Sequence, residues 1–208
     1  MSNDTAQRVL DSARALMVER GYHAFSYADI AEVVDVTKAT IHFHFATKAL
    51  LAERVVKGYR ENAVARLWQL SSQVADAPAR LEAYAGYWES CIRDHQPLCM
   101  CALLGGEIAT LPDPVKGEVQ VFFREIERWL ASTLEEGVRQ GSLQPGRGVV
   151  PEAKSLLAVV YGAMLVARVS GDAVAFAAVV GDAIGRLKAA AAAPPAGNMA
   201  RTRVAGTR

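Results

Sequence analysis

The stretch Ser26–Leu51, SYADIAEVVDVTKATIHFHFATKALL, decides how the chain is read. Ser26 and Asp29 stand at S-x-x-D spacing, a capping box whose side chains satisfy the first free amides of a helix. Ile30, Ala31 and Val34 follow at helical spacing and give that helix one apolar face. Asp35-Val36 interrupts it, and Thr37 is placed to cap a second helix from Lys38 to about His44. In that second helix Ile41 is a core candidate, while Lys38, Thr40 and His42 are polar. Thr47 can cap a third helix, with Lys48 in its first turn. A short helix braced by another and turning Lys, Thr and His outward has the shape that enters a DNA major groove.

These residues resemble the N-terminal domain of TetR-type repressors. The matching positions are Gly21-Tyr22, Ser26, Ile30-Ala31, Val36-Thr37, Thr40-Ile41, His44-Phe45, Lys48 and Leu51, all without a gap. Phe25, Asp35, Ala39 and the His42-Phe43 pair depart from the family's usual residues. Asp35 is compatible with the left-handed turn position that glycine usually takes. The resemblance implies a homodimeric DNA-binding regulator, with the last two helices of each subunit packed as a four-helix bundle. It also implies a double-stranded operator, a small-molecule inducer held among the later helices, and no cofactor.

On this reading the DNA contacts come from Ser26, Thr37, Lys38, Ala39, Thr40, His42, Phe43, His44 and Lys48. Lys38 and Thr40 can address a base edge or a phosphate, and the histidines a phosphate oxygen. Ser26 and Lys48 sit at helix starts, where free amides favour phosphate. Arg54, Lys57 and Arg60 follow on the next helix as further cations. A net charge of +1 over 208 residues is no argument for nucleic acid, so the placement of cations carries the claim. Few cations per subunit mean that tight binding needs two copies on one duplex.

The rest of the chain reads as helix throughout, about nine in all, and the expected fold is all-α. A helix-turn-helix DNA-binding domain occupies residues 1–46, a larger helical ligand-binding and dimerisation domain 47–191, and a disordered tail 192–208. The first helix carries Val9, Leu10, Ala13, Leu16 and Met17 on one side and ends at Gly21. Helix six is expected over about Cys99 to Thr110, although Gly105-Gly106 inside it is costly and marks a bend or a close approach. The apolar run Leu156–Ala167 is too short to span a bilayer and reads as a buried helix, and no membrane partner is expected. Helix nine, about Asp172 to Ala191, carries a row of small residues at Ala177, Gly181 and Gly185. Helices eight and nine are therefore the expected dimer interface. A polar N-terminus and three cysteines fit a cytoplasmic, reduced protein.

Cys91, His95, Cys99 and Cys101 form the second group of interest. Three readings of it stand side by side: buried apolar filler, a sensor thiol at Cys99 with a lowered pKa, or a soft-metal site. The segment from Cys99 through Glu107 to Leu111 resembles helix six of electrophile-sensing, NemR-like members of the same family. Trp88, Phe122, Phe123 and Tyr161, with Tyr84, Trp129 and Met164, are candidates for an apolar pocket. The rival class is a thiol-dependent enzyme built on Cys99 and His95. No G-x-S-x-G, phosphate loop, H-E-x-x-H or C-x-x-C accompanies them. A helical adaptor that binds only protein is the third class, and the reading helix speaks against it.

Overall fold

The computed structural model describes residues 2–96 and 98–188. Among these, nine helices follow one another: α1 (Ser2–Arg20), α2 (Tyr27–Val34), α3 (Lys38–His44), α4 (Lys48–Gln73), α5 (Ala77–Arg93), α6 (Met100–Gly105), α7 (Asp113–Gln140), α8 (Val149–Ser170) and α9 (Ala173–Gly185). The fold is all-α. An isolated bridge between Leu143 and Lys188 is the nearest thing to a strand among the described residues.

The local signals for α2 and α3 produce the expected geometry. The Ser26 hydroxyl accepts from the amides of Ala28 and Asp29, and the Asp29 carboxylate accepts the Ser26 amide at 2.7 Å. Asp35 ends α2 at φ 55°, ψ 58°, in the left-handed region, and its amide bonds the Ala31 carbonyl. The hydrogen bond from Ser26 holds the Asp29 carboxyl below its usual range. Because the folded value is the lower one, this part of the cap persists into mild acid. It is lost as pH falls through that lowered value. Ser26→Ala should cost about 1 kcal/mol in chemical denaturation, and an unchanged midpoint would refute the cap's contribution.

α1 packs on α2, α3 and α4 and supplies the floor of the first three-helix unit. Val9, Ala13 and Met17 close with Ile30, Val34 and Ile41 into its core. α4, 26 residues and so about 39 Å long, runs from this unit into the rest of the protein. There it lies along α7, which meets α8, while α9 packs on α5 and α8. Trp129 of α7 is fully buried at this crossing, and its indole N–H reaches both the Leu67 carbonyl (3.0 Å) and the Ser71 hydroxyl (2.9 Å) of α4. Arg80, also buried, turns its guanidinium onto the carbonyls of Val74, Ser71 and Ala75, which satisfies the open end of α4.

Three helices, α6, α8 and α9, differ from the sequence reading. α6 stops at Gly105, short of the expected Thr110. After the glycines the ladder tightens to three-residue steps, Gly106 to Leu103, Glu107 to Leu104 and Thr110 to Glu107. A Cβ at Gly105 would meet the Phe123 ring of α7 at 4.0 Å, an ordinary contact, so the glycine pair marks the end of the helix and not a close approach. α8 is longer than its apolar run and is long and apolar enough to cross a membrane by length and composition alone. It packs through Ala153, Leu156, Val160, Met164 and Ala167, yet only 22% of its most apolar window is buried. The expectation of a buried helix therefore fails on one face, where Leu165, Val166 and Val169 stand exposed. α9 ends at Gly185, short of the expected Ala191, because the chain turns there and pairs Leu187 and Lys188 with the loop at 143–144; residues 189–191 and the tail from Ala192 lie outside the described residues.

Candidate nucleic-acid interface and ligand cavity

α3 is held by one buried side chain, Ile41, and turns the rest of its short length outward. Thr37 caps it by accepting the Thr40 amide at 3.1 Å, and the two threonine hydroxyls meet at 2.9 Å. Lys38 and Ala39 are exposed, and Lys38 makes no ion pair among the described residues. Phe43 is 82% exposed, an uncommon position for so large an apolar side chain. His42 rests on the Tyr27 ring at 4.7 Å with its Nδ1 3.3 Å from the Ala46 carbonyl, and His44 packs edge-on against Phe43. Arg54 and Lys57 of α4 border the same depression as Phe43 and His44.

Lys48 and Arg60 are placed differently from the sequence reading. The Lys48 ammonium donates to the Phe25 carbonyl and lies over the rings of Tyr22 (4.7 Å) and Phe25 (4.3 Å). Burial lowers its pKa, with Asp29 and Glu107 pulling the other way. A half-buried amine with these partners braces the start of α4. Arg60 is bound to Glu118 at 2.8 Å and Glu125 at 3.0 Å of α7, so it ties α4 to α7. Ser26 remains at the start of α2, but its hydroxyl is committed to the Asp29 cap.

The turn between α1 and α2 is gripped from the far end of α6. The Tyr22 amide donates to both Glu107 oxygens, at 3.2 and 3.1 Å, and the His23 ring meets the Thr110 hydroxyl at 3.0 Å. Gly21 takes φ +82°, and a Cβ there would stand 2.1 Å from Glu107 Oε1. The positive φ favours glycine, and any larger residue would also push the Glu107 carboxylate aside. Glu107 stood in the sequence only as part of the helix-six segment, and its partner 85 residues away left no local sign.

Behind these contacts lies a cavity of about 390 Å³ between α4, α5, α7 and α8. Trp88, Phe122, Tyr161 and Tyr84, all expected, line it with Tyr59 and Ile126, while Trp129 and Met164, also expected, are buried in the core instead. Phe123 does not line it either; its ring supports Phe122 and Tyr161 from behind, at 5.4 and 5.1 Å. The hydroxyls of Tyr84 and Tyr161 neighbour one another and the Cys99 thiol. Nevertheless Tyr84 Oη, Tyr161 Oη and Trp88 Nε1 are buried and complete no hydrogen bond. Tyr59 of α4 borders the cavity with no signal in the sequence beyond its apolar helix face.

The cysteine group does not assemble as a sensor or metal set. Cys99 and Cys101 are fully buried, Cys91 nearly so, and all three are free thiols. Burial pushes the Cys99 and Cys101 thiols up, not down, which overturns the expected low-pKa thiol. His95 is exposed at φ 52° past the end of α5 and borders, with Ile92 and Leu98, a wider groove that adjoins the cavity through Arg14, Tyr59, Tyr87 and Trp88. No group of three or more His, Cys, Asp or Glu among the described residues could hold a metal. Iodoacetamide at neutral pH should therefore label Cys99 at least about tenfold more slowly in the native protein than in denaturant. Equal rates would restore the reactive sensor-thiol reading.

Residues 9–55 match the family described as bacterial regulatory proteins, tetR family, and residues 77–181 match the tetracyclin repressor-like C-terminal domain. A TetR-family transcriptional regulator from Agrobacterium tumefaciens superposes with a TM-score of 0.87 and 41% identity, over 91% of this chain and 100% of that one. The reduced form of NemR from E. coli shares the fold, with a TM-score of 0.81 at 19% identity over 91% of this chain and 100% of that one. The repressor KstR2 of Rhodococcus jostii is 26% identical over 141 residues, 65% of this chain and 66% of its own. The nucleoid occlusion factor SlmA of a Marinomonas species is 24% identical over 165 residues, 77% of this chain and 81% of its own. With a helix-turn-helix at one end, an aromatic cavity at the other and both parts matched, the chain belongs to the TetR family of transcriptional regulators.

Proposed function

We propose that the protein is a cytoplasmic homodimeric repressor that places two α3 helices in successive major grooves of a pseudo-palindromic operator. A small molecule in the aromatic cavity changes that grip. Residues 1–46 act as the reading head and 47–191 as the effector and dimerisation body. The observation that carries the reading is α3 itself. Its capped start presents Thr37, Lys38, Ala39 and Thr40, with His42 and Phe43 beyond, while Ile41 anchors the helix below. Phosphate contacts then come from Lys38, Arg54 and Lys57, and base contacts from Lys38, Thr40 and Phe43.

Two further features support the scheme. α8 exposes a stripe of Ala158, Gly162, Leu165, Val166 and Val169, and α9 exposes Val174, Ala178, Gly181 and Gly185, each at one-turn spacing. Nothing lies within 4 Å of where a Cβ would sit at Gly162, Gly181 or Gly185, so a second copy can approach closely there. The Glu107 grip on the α1–α2 turn gives a displacement of α6 a direct route to the reading head. A ligand that favours one arrangement shifts the population, and only that difference releases DNA. A reagent that reaches Cys99 would act in the same place, since the thiol neighbours Tyr59 and Tyr161.

Selection of bound fragments from random duplexes tests the reading. The expected product is an inverted repeat with half-site centres about one helical turn apart or slightly more. Failure to retain any duplex in modest salt overturns it.

A further inference from the structure

We propose that the cavity takes a small apolar monocarboxylate carrying a hydrogen-bond acceptor at the end remote from its carboxylate, and that Arg14 and Arg66 receive the carboxylate. The inference rests on the regulator reading above and specifies its effector.

Tyr84, Tyr161 and Trp88 line the inner end of the cavity; Tyr84 Oη lies close to Tyr161 Oη and Trp88 Nε1, yet all three buried polar atoms complete no hydrogen bond of normal length. A buried polar group left unpaired is costly, so a ligand that supplies the missing partner is favoured over one that does not. The indole N–H can only donate, which makes the deep end of the ligand an acceptor such as a carbonyl, ether or hydroxyl oxygen. Between this end and the surface the walls are Leu67, Leu70, Phe122 and Ile126, which suit an apolar body. A volume of about 390 Å³ lies at the lower end for a drug-sized ligand.

Arg14 and Arg66 line the outer end, both exposed, and no Asp or Glu lines the cavity itself; Asp11 and Glu19 border the groove that opens beyond Arg14. Arg66 makes no ion pair among the described residues, and Arg14 stacks over the Tyr59 ring at 5.4 Å. Two guanidinium groups beside an apolar shaft suit one carboxylate, which each can meet in a planar two-pronged contact. Arg14 belongs to α1 and Arg66 to α4. The bound carboxylate would therefore bridge the reading head and the helix that carries it, in the same molecule whose other end is buried among α5 and α8.

The test uses full-length protein and four probes: 6-methoxy-2-naphthoate, its carboxamide, 2-naphthoate and 2-naphthylmethylamine. Binding is read by calorimetry, and retention of the selected operator is measured on the same samples. The methoxy acid should bind at least about tenfold tighter than the carboxamide, and the amine should not bind. Arg66→Gln should bring the acid down to the carboxamide's affinity. Trp88→Phe should weaken the methoxy acid but not 2-naphthoate. Acid and amide binding alike, an Arg66→Gln variant that keeps the preference for the acid, or no binding by any probe each overturns the proposal. If Trp88→Phe does not fold, Arg66→Gln, a change at an exposed position, still decides. A protein that holds its operator yet ignores the carboxylates sinks the ligand class alone, whereas one that holds no duplex sinks the regulator reading.

Discussion

Lys38→Ala with Thr40→Ala is expected to reduce operator affinity by about 100-fold or more while leaving the oligomeric state unchanged. Each base or phosphate contact of this kind contributes about 1–3 kcal/mol, and a two-fold complex loses every contact twice. The scaffold tolerates the change because α3 keeps its cap and its anchor. Thr37 still offers its oxygen to the amide of residue 40, and Ile41 stays buried. The salt dependence gives a second, independent readout. If Lys38 meets a phosphate in each half-site, the slope of log affinity against log salt should fall by about two in the variant. Unchanged affinity with an unchanged slope would show that α3 is not the reading helix.

Leu165→Glu with Val169→Glu should give a monomer in sedimentation and lower operator affinity by about 10²- to 10⁴-fold, the advantage that linked sites lose on separation. Both side chains point to solvent in the single chain, Val169 at 84% exposure, so the substitutions disturb little of the folded subunit. In the proposed assembly they place four carboxylates, two from each copy, in a water-excluded seam, where unpaired charge is strongly disfavoured. A dimer that persists through both changes would move the interface elsewhere and remove the reason for the bare stripe on α8.

What the sequence disclosed follows the range of the interactions involved. The capping box at Ser26 and Asp29, the left-handed turn at Asp35 and the cap at Thr37 involve partners within four residues, and all three have the expected geometry. Gly105-Gly106 was legible as a break in helical regularity, though not as the end of α6. Lys48 and Arg60 were read as free cations because composition shows a charge and not its partner. Their partners, the Phe25 carbonyl and the Glu118 and Glu125 carboxylates, lie 23, 58 and 65 residues away. Cys99 was read from its place at a helix start, and the surrounding tyrosines that bury it come from α4, α5 and α8. The aromatic residues of the cavity were identifiable as a set. Which of them would leave a polar atom without a partner depends on packing that no spacing encodes.

The joint between Glu107 and residue 22 uses a main-chain donor, which has a consequence for how the protein can change. Every amino acid except proline presents that N–H, so replacing Tyr22 does not unfasten the hook, and the slack needed for a different response has to be introduced from the carboxylate side or by crowding it at Gly21. Variants with altered inducer response and intact DNA recognition should accordingly gather at 107 and 21 and spare 22.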